Sequence, residues 1–141
     1  MQIRLLLVVL LGAVSCGNDP QIAVHIDFET EIYPLIKASC ADCHRAPYKD
    51  KIGRIVQPDG ALVVTEKRGL LEGGELGEVI VPGRPDQSEF LALTLLPLDD
   101  EDHMPPEGEA PEWTDAEKEL VKNWIKQGAD FGGWERDPEF D

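Results

Sequence analysis

The sequence predicts a mainly α-helical domain of a few short helices joined by long loops, and three observations carry that reading. Phe28, Ile32, Leu35 and Ile36 recur at i, i+4, i+7 and i+8, the spacing of one apolar helix face. Leu120, Val121, Trp124 and Ile125 form a second such stripe near the other end. Between them, 13 glycines and 11 prolines in 141 residues, with aromatics at only 6%, argue against a dense helical bundle. At this length one core is expected.

In chain order, residues 1–15 hold one cation, Arg4, an unbroken apolar run from Leu5 to Leu11, and the small residues Gly12, Ala13 and Ser15 before Cys16. That is the layout of a bacterial export signal. The run is too short for a bilayer span, which needs roughly 20 apolar residues. Ala13-Val14-Ser15-Cys16 resembles a lipobox, which implies diacylation of Cys16 as the first residue of a lipoprotein. The polar Gly17-Asn18-Asp19-Pro20 then opens a linker over residues 16–26. The first helix runs into Cys40, kinked by Pro34 or starting late with Pro34 in its first turn. Residues 45–83 read as irregular, with short extended pieces at Leu62–Val64 and Val79–Val81 and a helical turn around Glu66–Leu71. Asp86 with Glu89 has the spacing of a capping box opening a helix to about Leu96, where Pro97 ends it. Thr114 with Glu117 opens the last helix in the same way, and Gly128 stops it. Residues 135–141 read as an acidic tail, leaving 27–134 as the folded domain.

Lys plus Arg is 13 against 28 for Asp plus Glu, a formal net charge of −15, and removal of residues 1–15 takes away only the cation Arg4. Nucleic-acid binding requires cations that displace condensed counterions, so a nucleic-acid partner is excluded. A basic partner, or a solubilising surface, fits this charge.

Cys40-Ala41-Asp42-Cys43-His44 is C-x-x-C-H, the signature of covalent haem c attachment. Two thiols three positions apart on a helical turn can add to the two vinyl groups of one porphyrin, and the adjacent His44 can present a neutral imidazole nitrogen to iron. Such a loop-rich chain would gain from a large apolar cofactor. Competing readings of the same residues have less support. A structural zinc site wants four Cys or His ligands, and the remaining cysteine lies in the export segment. A thioredoxin-like pair needs a preceding strand and a βαβ pattern, and neither is visible. A disulfide across so short a loop is strained and removes little chain entropy.

With that motif placed, the chain from about Phe28 to Trp134 resembles the planctomycete-type cytochrome c domain, a compact relative of class I cytochromes c. The resemblance rests on four stretches: Ile32-Tyr33-Pro34-Leu35-Ile36 ahead of the attachment motif; Gly73-Gly74-Glu75-Leu76-Gly77 leading to Ile80-Val81-Pro82-Gly83-Arg84-Pro85; Met104-Pro105-Pro106; and the helix Leu120 to Ile125 followed by Gly128-Ala129. It implies a small cytochrome c-like fold around one covalent haem, the N-terminal helix crossing the C-terminal helix beside it, and Met104 as distal ligand opposite His44. His103 precedes the methionine and acids crowd both sides of it, so His103 as ligand, or an open distal position, remain as alternatives at this point.

The expected activity is therefore electron transfer outside the cytoplasm by a monohaem carrier tethered at Cys16 to the periplasmic face of a bacterial membrane, serving redox partner proteins and needing no catalytic acid, base or nucleophile. The rival classes are a haem enzyme or gas sensor with an open distal site, and a haem-free thiol or disulfide lipoprotein. Trp124 reads as core, packed on the N-terminal helix and the haem edge. Gly73, Gly74 and Gly77 either let backbone approach the ring or permit positive φ. Arg54, Lys67, Arg68 and Arg84 are the cations considered for the haem propionates, one of the four being expected to serve. Asp99-Asp100-Glu101-Asp102 lacks the glycine and twelfth-position Glu of a calcium loop and reads as a solvated face.

Overall fold

The computed structural model describes residues 24–140. Four short α-helices, α1 (Tyr33–Cys40), α2 (Lys67–Glu72), α3 (Glu89–Ala92) and α4 (Asp115–Lys126), are joined by loops, 3-10 turns and a two-stranded hairpin, giving the mainly α, loop-rich fold that the sequence predicts.

A π-helical turn, Phe28–Ile32, precedes α1. Pro34 explains it, because proline has no N–H to give the carbonyl four residues back and its ring crowds that carbonyl. A wider turn ahead of the proline relieves the conflict, with the Tyr33 N–H reaching back to the Phe28 carbonyl and Pro34 in the first turn of α1. Asp27 caps this entry, its Oδ1 accepting from the Thr30 N–H at 2.8 Å and the Thr30 hydroxyl at 2.7 Å. Phe28, Ile32 and Ile36 are buried as the periodicity requires, Tyr33 joins them, and Leu35 is only partly buried.

At the other end α4 opens on the Thr114–Glu117 capping box with both reciprocal hydrogen bonds present, and Gly128 ends it at φ 109°. Val121, Trp124 and Ile125 are buried. The core forms where the start of α1 meets α4. Phe28 lies 5.2 Å from Trp124, 4.5 Å from Phe131 and 4.8 Å from Trp134, centroid to centroid, and Tyr33 lies 4.6 Å from Trp134. Trp124 is 1% exposed and its Nε1–H donates to the Asp130 carbonyl at 2.8 Å, so its polar edge is satisfied inside the core.

Three stretches depart from the sequence reading. Tyr48–Lys49 (β1) and Ile55–Val56 (β2) pair antiparallel, whereas Leu62–Val64 and Val79–Val81 form no strand. The five residues from Asp50 to Arg54 make the hairpin turn: Asp50 Oδ1 accepts from the Ile52 and Arg54 N–H groups, and Gly53 supplies φ 83°. The Asp86–Glu89 capping box does not form, because Pro85–Gln87 is a separate 3-10 turn and Ser88 is the N-cap of α3. The Ser88 hydroxyl donates to the Arg84 carbonyl at 2.9 Å and accepts from the Val81 N–H at 2.9 Å, binding two loop segments together instead. Residues 135–140 are packed into the body rather than free. The Lys67 N–H bonds the Glu135 carbonyl, the Asp137 N–H bonds the Thr65 carbonyl, and Phe140 is half-buried against the core.

Asp137 holds that segment on α1. Its Oδ2 accepts from the Tyr33 hydroxyl at 2.8 Å and lies 2.8 Å from Lys37 Nζ, which also reaches Glu139 Oε2 at 2.6 Å. Burial raises the Asp137 carboxyl, but hydrogen bonds from Lys37, the Glu139 N–H and Tyr33 outweigh it and hold it below the usual 3.8. A carboxyl depressed in the folded state contributes stability above its unfolded pKa, and that contribution disappears as pH falls through the folded value. Asp137→Asn should therefore flatten the acid limb of a stability–pH profile below about pH 4. Asp137→Ala should cost about 1–3 kcal/mol at neutral pH in urea titration, since it leaves the buried Tyr33 hydroxyl unpaired.

Candidate functional site

The C-terminus of α1 delivers Cys40, and the helical path continues one turn further, with the His44 N–H bonding the Cys40 carbonyl at 3.0 Å. Both thiols are free: Cys40 is half-buried against the core and Cys43 is exposed. Burial pushes the Cys40 thiol up to about 12, with the neighbouring Cys43 adding to it. Cys43 is raised too, first by desolvation and then by Asp59, Asp42 and Glu109.

Residues 57–64 fold back over this turn. The Asp59 N–H bonds the Cys43 carbonyl at 3.0 Å and the Val64 N–H bonds the His44 carbonyl at 2.7 Å. The return places the Asp59 carbonyl 2.9 Å from His44 Nδ1. A carbonyl can only accept, so Nδ1 carries the proton and Nε2 is left with its lone pair. Asp59 was not singled out in the sequence, and it could not have been, because the group used is a backbone carbonyl.

A second segment is fastened beside the first. The Ser39 hydroxyl donates to the Pro111 carbonyl at 2.6 Å, and Trp113 Nε1–H donates to the Leu35 carbonyl at 3.3 Å. These bonds dock the loop that carries His103 and Met104 onto α1, and the influence of Glu109 on Cys43 reflects the same closeness. The two side chains differ in commitment. His103 is 2% exposed, its Nδ1 bonds the Pro105 carbonyl at 2.8 Å and its Nε2 lies 3.5 Å from Glu112. Met104 is half-buried and its sulfur has no such engagement, while its N–H bonds the Leu93 carbonyl at 3.2 Å.

The four cations considered for propionates are all occupied within the protein: Arg54 with Asp50, Lys67 with Glu135, Arg68 with Glu72, and Arg84 with Gln87. The residue that sequence reasoning missed is Arg45, whose guanidinium lies 3.5 Å from the Tyr48 ring centroid and whose buried Nε has no hydrogen-bond partner. The glycines serve the chain's own crossings. A Cβ on Gly73, at φ 80°, would strike the Gly77 carbonyl, and one on Gly74 would meet the Gly60 carbonyl. Cys16 lies outside the described residues.

Among the described residues no three or more His, Cys, Asp or Glu are grouped so as to hold a metal ion. What the geometry offers is two free thiols, an imidazole with Nε2 available, and a half-buried methionine on the loop fastened to α1. A family model described as Planctomycete cytochrome C matches residues 40–108, a span that begins at the first of those thiols and contains Met104. The chain carries a planctomycete-type cytochrome c domain. The cytochrome c family implies covalently bound haem, and the donor set fits that group: two unpaired sulfurs at thioether spacing and one oriented imidazole. No curated protein and no solved structure matches the chain.

The Trp113 bond to α1 sets how firmly the loop bearing Met104 is held. Trp113 is 5% exposed and packs 5.9 Å from the Phe90 ring. Trp113→Ala should cost about 3–5 kcal/mol in chemical denaturation. Trp113→Phe, which keeps most of the packing and removes only the indole donor, should cost about 1 kcal/mol.

Proposed function

We propose that this cytochrome c domain is a monohaem electron carrier working outside the cytoplasm, with Cys40 and Cys43 as thioether anchors, His44 as proximal ligand and Met104 as distal ligand. The observation that carries the reading is the His44 Nδ1–H bond to the Asp59 carbonyl beside two free thiols. It fixes the tautomer and leaves the Nε2 lone pair available, which is the preparation an iron-ligating imidazole requires. The haem, when bound, supplies a one-electron couple at iron. The chain's own part is to hold and tune it. Cys40 and Cys43 would hold the haem covalently. His44, steadied from behind by Asp59, gives a basic nitrogen. Met104 supports the distal role because its thioether is uncommitted, whereas both nitrogens of His103 are turned to Pro105 and Glu112. A thioether favours the reduced state and raises the potential relative to a second imidazole.

Residues 99–119 contain ten acids and one lysine, Lys118, and they flank Met104, so this surface favours redox partners with a basic docking face. The export layout of residues 1–15 and the lipobox-like Ala13 to Cys16 support tethering through an acylated Cys16 at the periplasmic face of a membrane.

Three experiments test the proposal. In protein matured with haem, acidified acetone should leave the haem on the polypeptide, and Cys40→Ala or Cys43→Ala should weaken that retention. The ferric protein should show a weak near-infrared sulfur-to-iron band that Met104→Ala abolishes, together with ready carbon monoxide binding and a lower potential, while His103→Ala keeps the band. An unchanged spectrum and potential in Met104→Ala, with the change appearing in His103→Ala, would reverse the assignment of the distal ligand. For the tether, the wild type should partition with membranes and Cys16→Ser should be released or misprocessed, whereas a soluble wild type with another first residue would remove the anchor.

A further inference from the structure

The cations of this acidic protein are unevenly placed. Arg45, Lys49, Lys51 and Arg54 fall within ten residues and line one open cavity of about 610 Å³ together with Tyr48, Asp50 and Ile52. The one acid there is already engaged, since Asp50 takes the Arg54 Nε at 2.8 Å and the turn's own N–H groups. The Lys49 and Lys51 ammonium groups have no hydrogen-bond or ion-pair partner among the described residues. Apolar side chains stand among these charges: Ile52 is 75% exposed and Ile55 65%. A hairpin that presents two isoleucines and two unpaired lysines around a cationic cleft is a surface without its partner.

The complementary surface is on the same chain. Asp99, Asp100, Glu101 and Asp102 are all exposed and none has a cation partner among the described residues. Immediately before them, Leu95 is 57% exposed and Leu98 43%. Four acids beside two leucines match the hairpin in charge and in apolar content. We propose that the basic hairpin of one molecule docks the acidic 95–102 loop of a second copy of this chain.

Charge restricts the contact to that pairing. Two molecules of formal charge −15 repel over most orientations, and the hairpin is the surface where an approaching acidic loop meets a net positive field. The two faces differ, so the contact is head to tail and leaves a free hairpin and a free loop at its ends, allowing open chains rather than a closed dimer. So small a contact makes the association weak and reversible. It requires charge on these side chains and not the haem, so failure of the electron-carrier reading leaves it standing; it names one basic partner for the acidic surface described above.

The test uses the full, haem-loaded chain in mild detergent, followed by sedimentation velocity from micromolar to millimolar concentration. Wild type should shift to larger species as concentration rises. K49E/K51E and D100K/E101K should each weaken that shift about tenfold or more. An equimolar mixture of the two variants should restore it, because the reversed hairpin of one then meets the reversed loop of the other. Carbodiimide cross-linking of mixed isotope-labelled and unlabelled protein should join Lys49 or Lys51 of one copy to residues 99–102 of another. A wild type that stays monomeric throughout, or variants whose mixture restores nothing, would overturn the proposal. So would K49E/K51E changing only binding to vesicles of anionic phospholipid, which would assign the hairpin to a membrane surface. The haem absorbance of each sample, read in parallel, reports the cofactor separately.

Discussion

Phe28 holds the molecule together. Its ring is enclosed by Tyr33, Trp124, Phe131 and Trp134, so the first residue of the N-terminal helical segment is clamped to the last helix and to the segment after it. Because α1 starts from that clamp and runs only eight residues, its C-terminal end, where Cys40 sits, has little freedom relative to α4. The aromatic residues are few, and five of them are spent on this one junction. The rest of the chain, short of regular structure, is laid over the two helices by buried side chains such as Val64, Leu70, Ile80 and Leu91 and by individual hydrogen bonds.

Those bonds converge on the attachment turn. Residues 57–64 close over it through the Asp59 and Val64 N–H groups, and the loop bearing Met104 closes beside it through Ser39 and Trp113. Loops of this length keep a defined path only where their backbone polar groups find partners. Here the partners belong to α1 and its continuation, so order in the loops derives from order in the helix. The same logic holds at the C-terminus, where Asp137 ties residues 135–140 to Tyr33 and Lys37.

The acidic balance shapes the remainder. Most of the described cations are paired locally, Arg68 with Glu72 and Lys122 with Glu119 along their helices, Lys67 with Glu135 across the fold. Exposed pairs of this kind contribute little stability individually, on the order of 0–1 kcal/mol. Their effect is on the surface left over: an acidic field around the Met104 loop, interrupted by one basic hairpin.

The sequence by itself determined the helical ends and the chemistry between them. The spacing of Phe28, Ile32 and Ile36, the Thr114–Glu117 box and the pentapeptide Cys40 to His44 are local patterns, and the structure keeps each where the residues place it. What lay beyond reading depended on contacts between segments distant in the chain. Asp86 and Glu89 have capping-box spacing, but Ser88 was taken as the cap by a segment seven residues away, so a local pattern lost to a tertiary one. The roles of Gly73 and Gly74 follow from which strand of backbone crosses them, and the engagement of His103 against the freedom of Met104 follows from Glu112 and Pro105. The orientation of His44 rests on the carbonyl of Asp59, a group every residue possesses, and only the folded path of the loop selects which one it is.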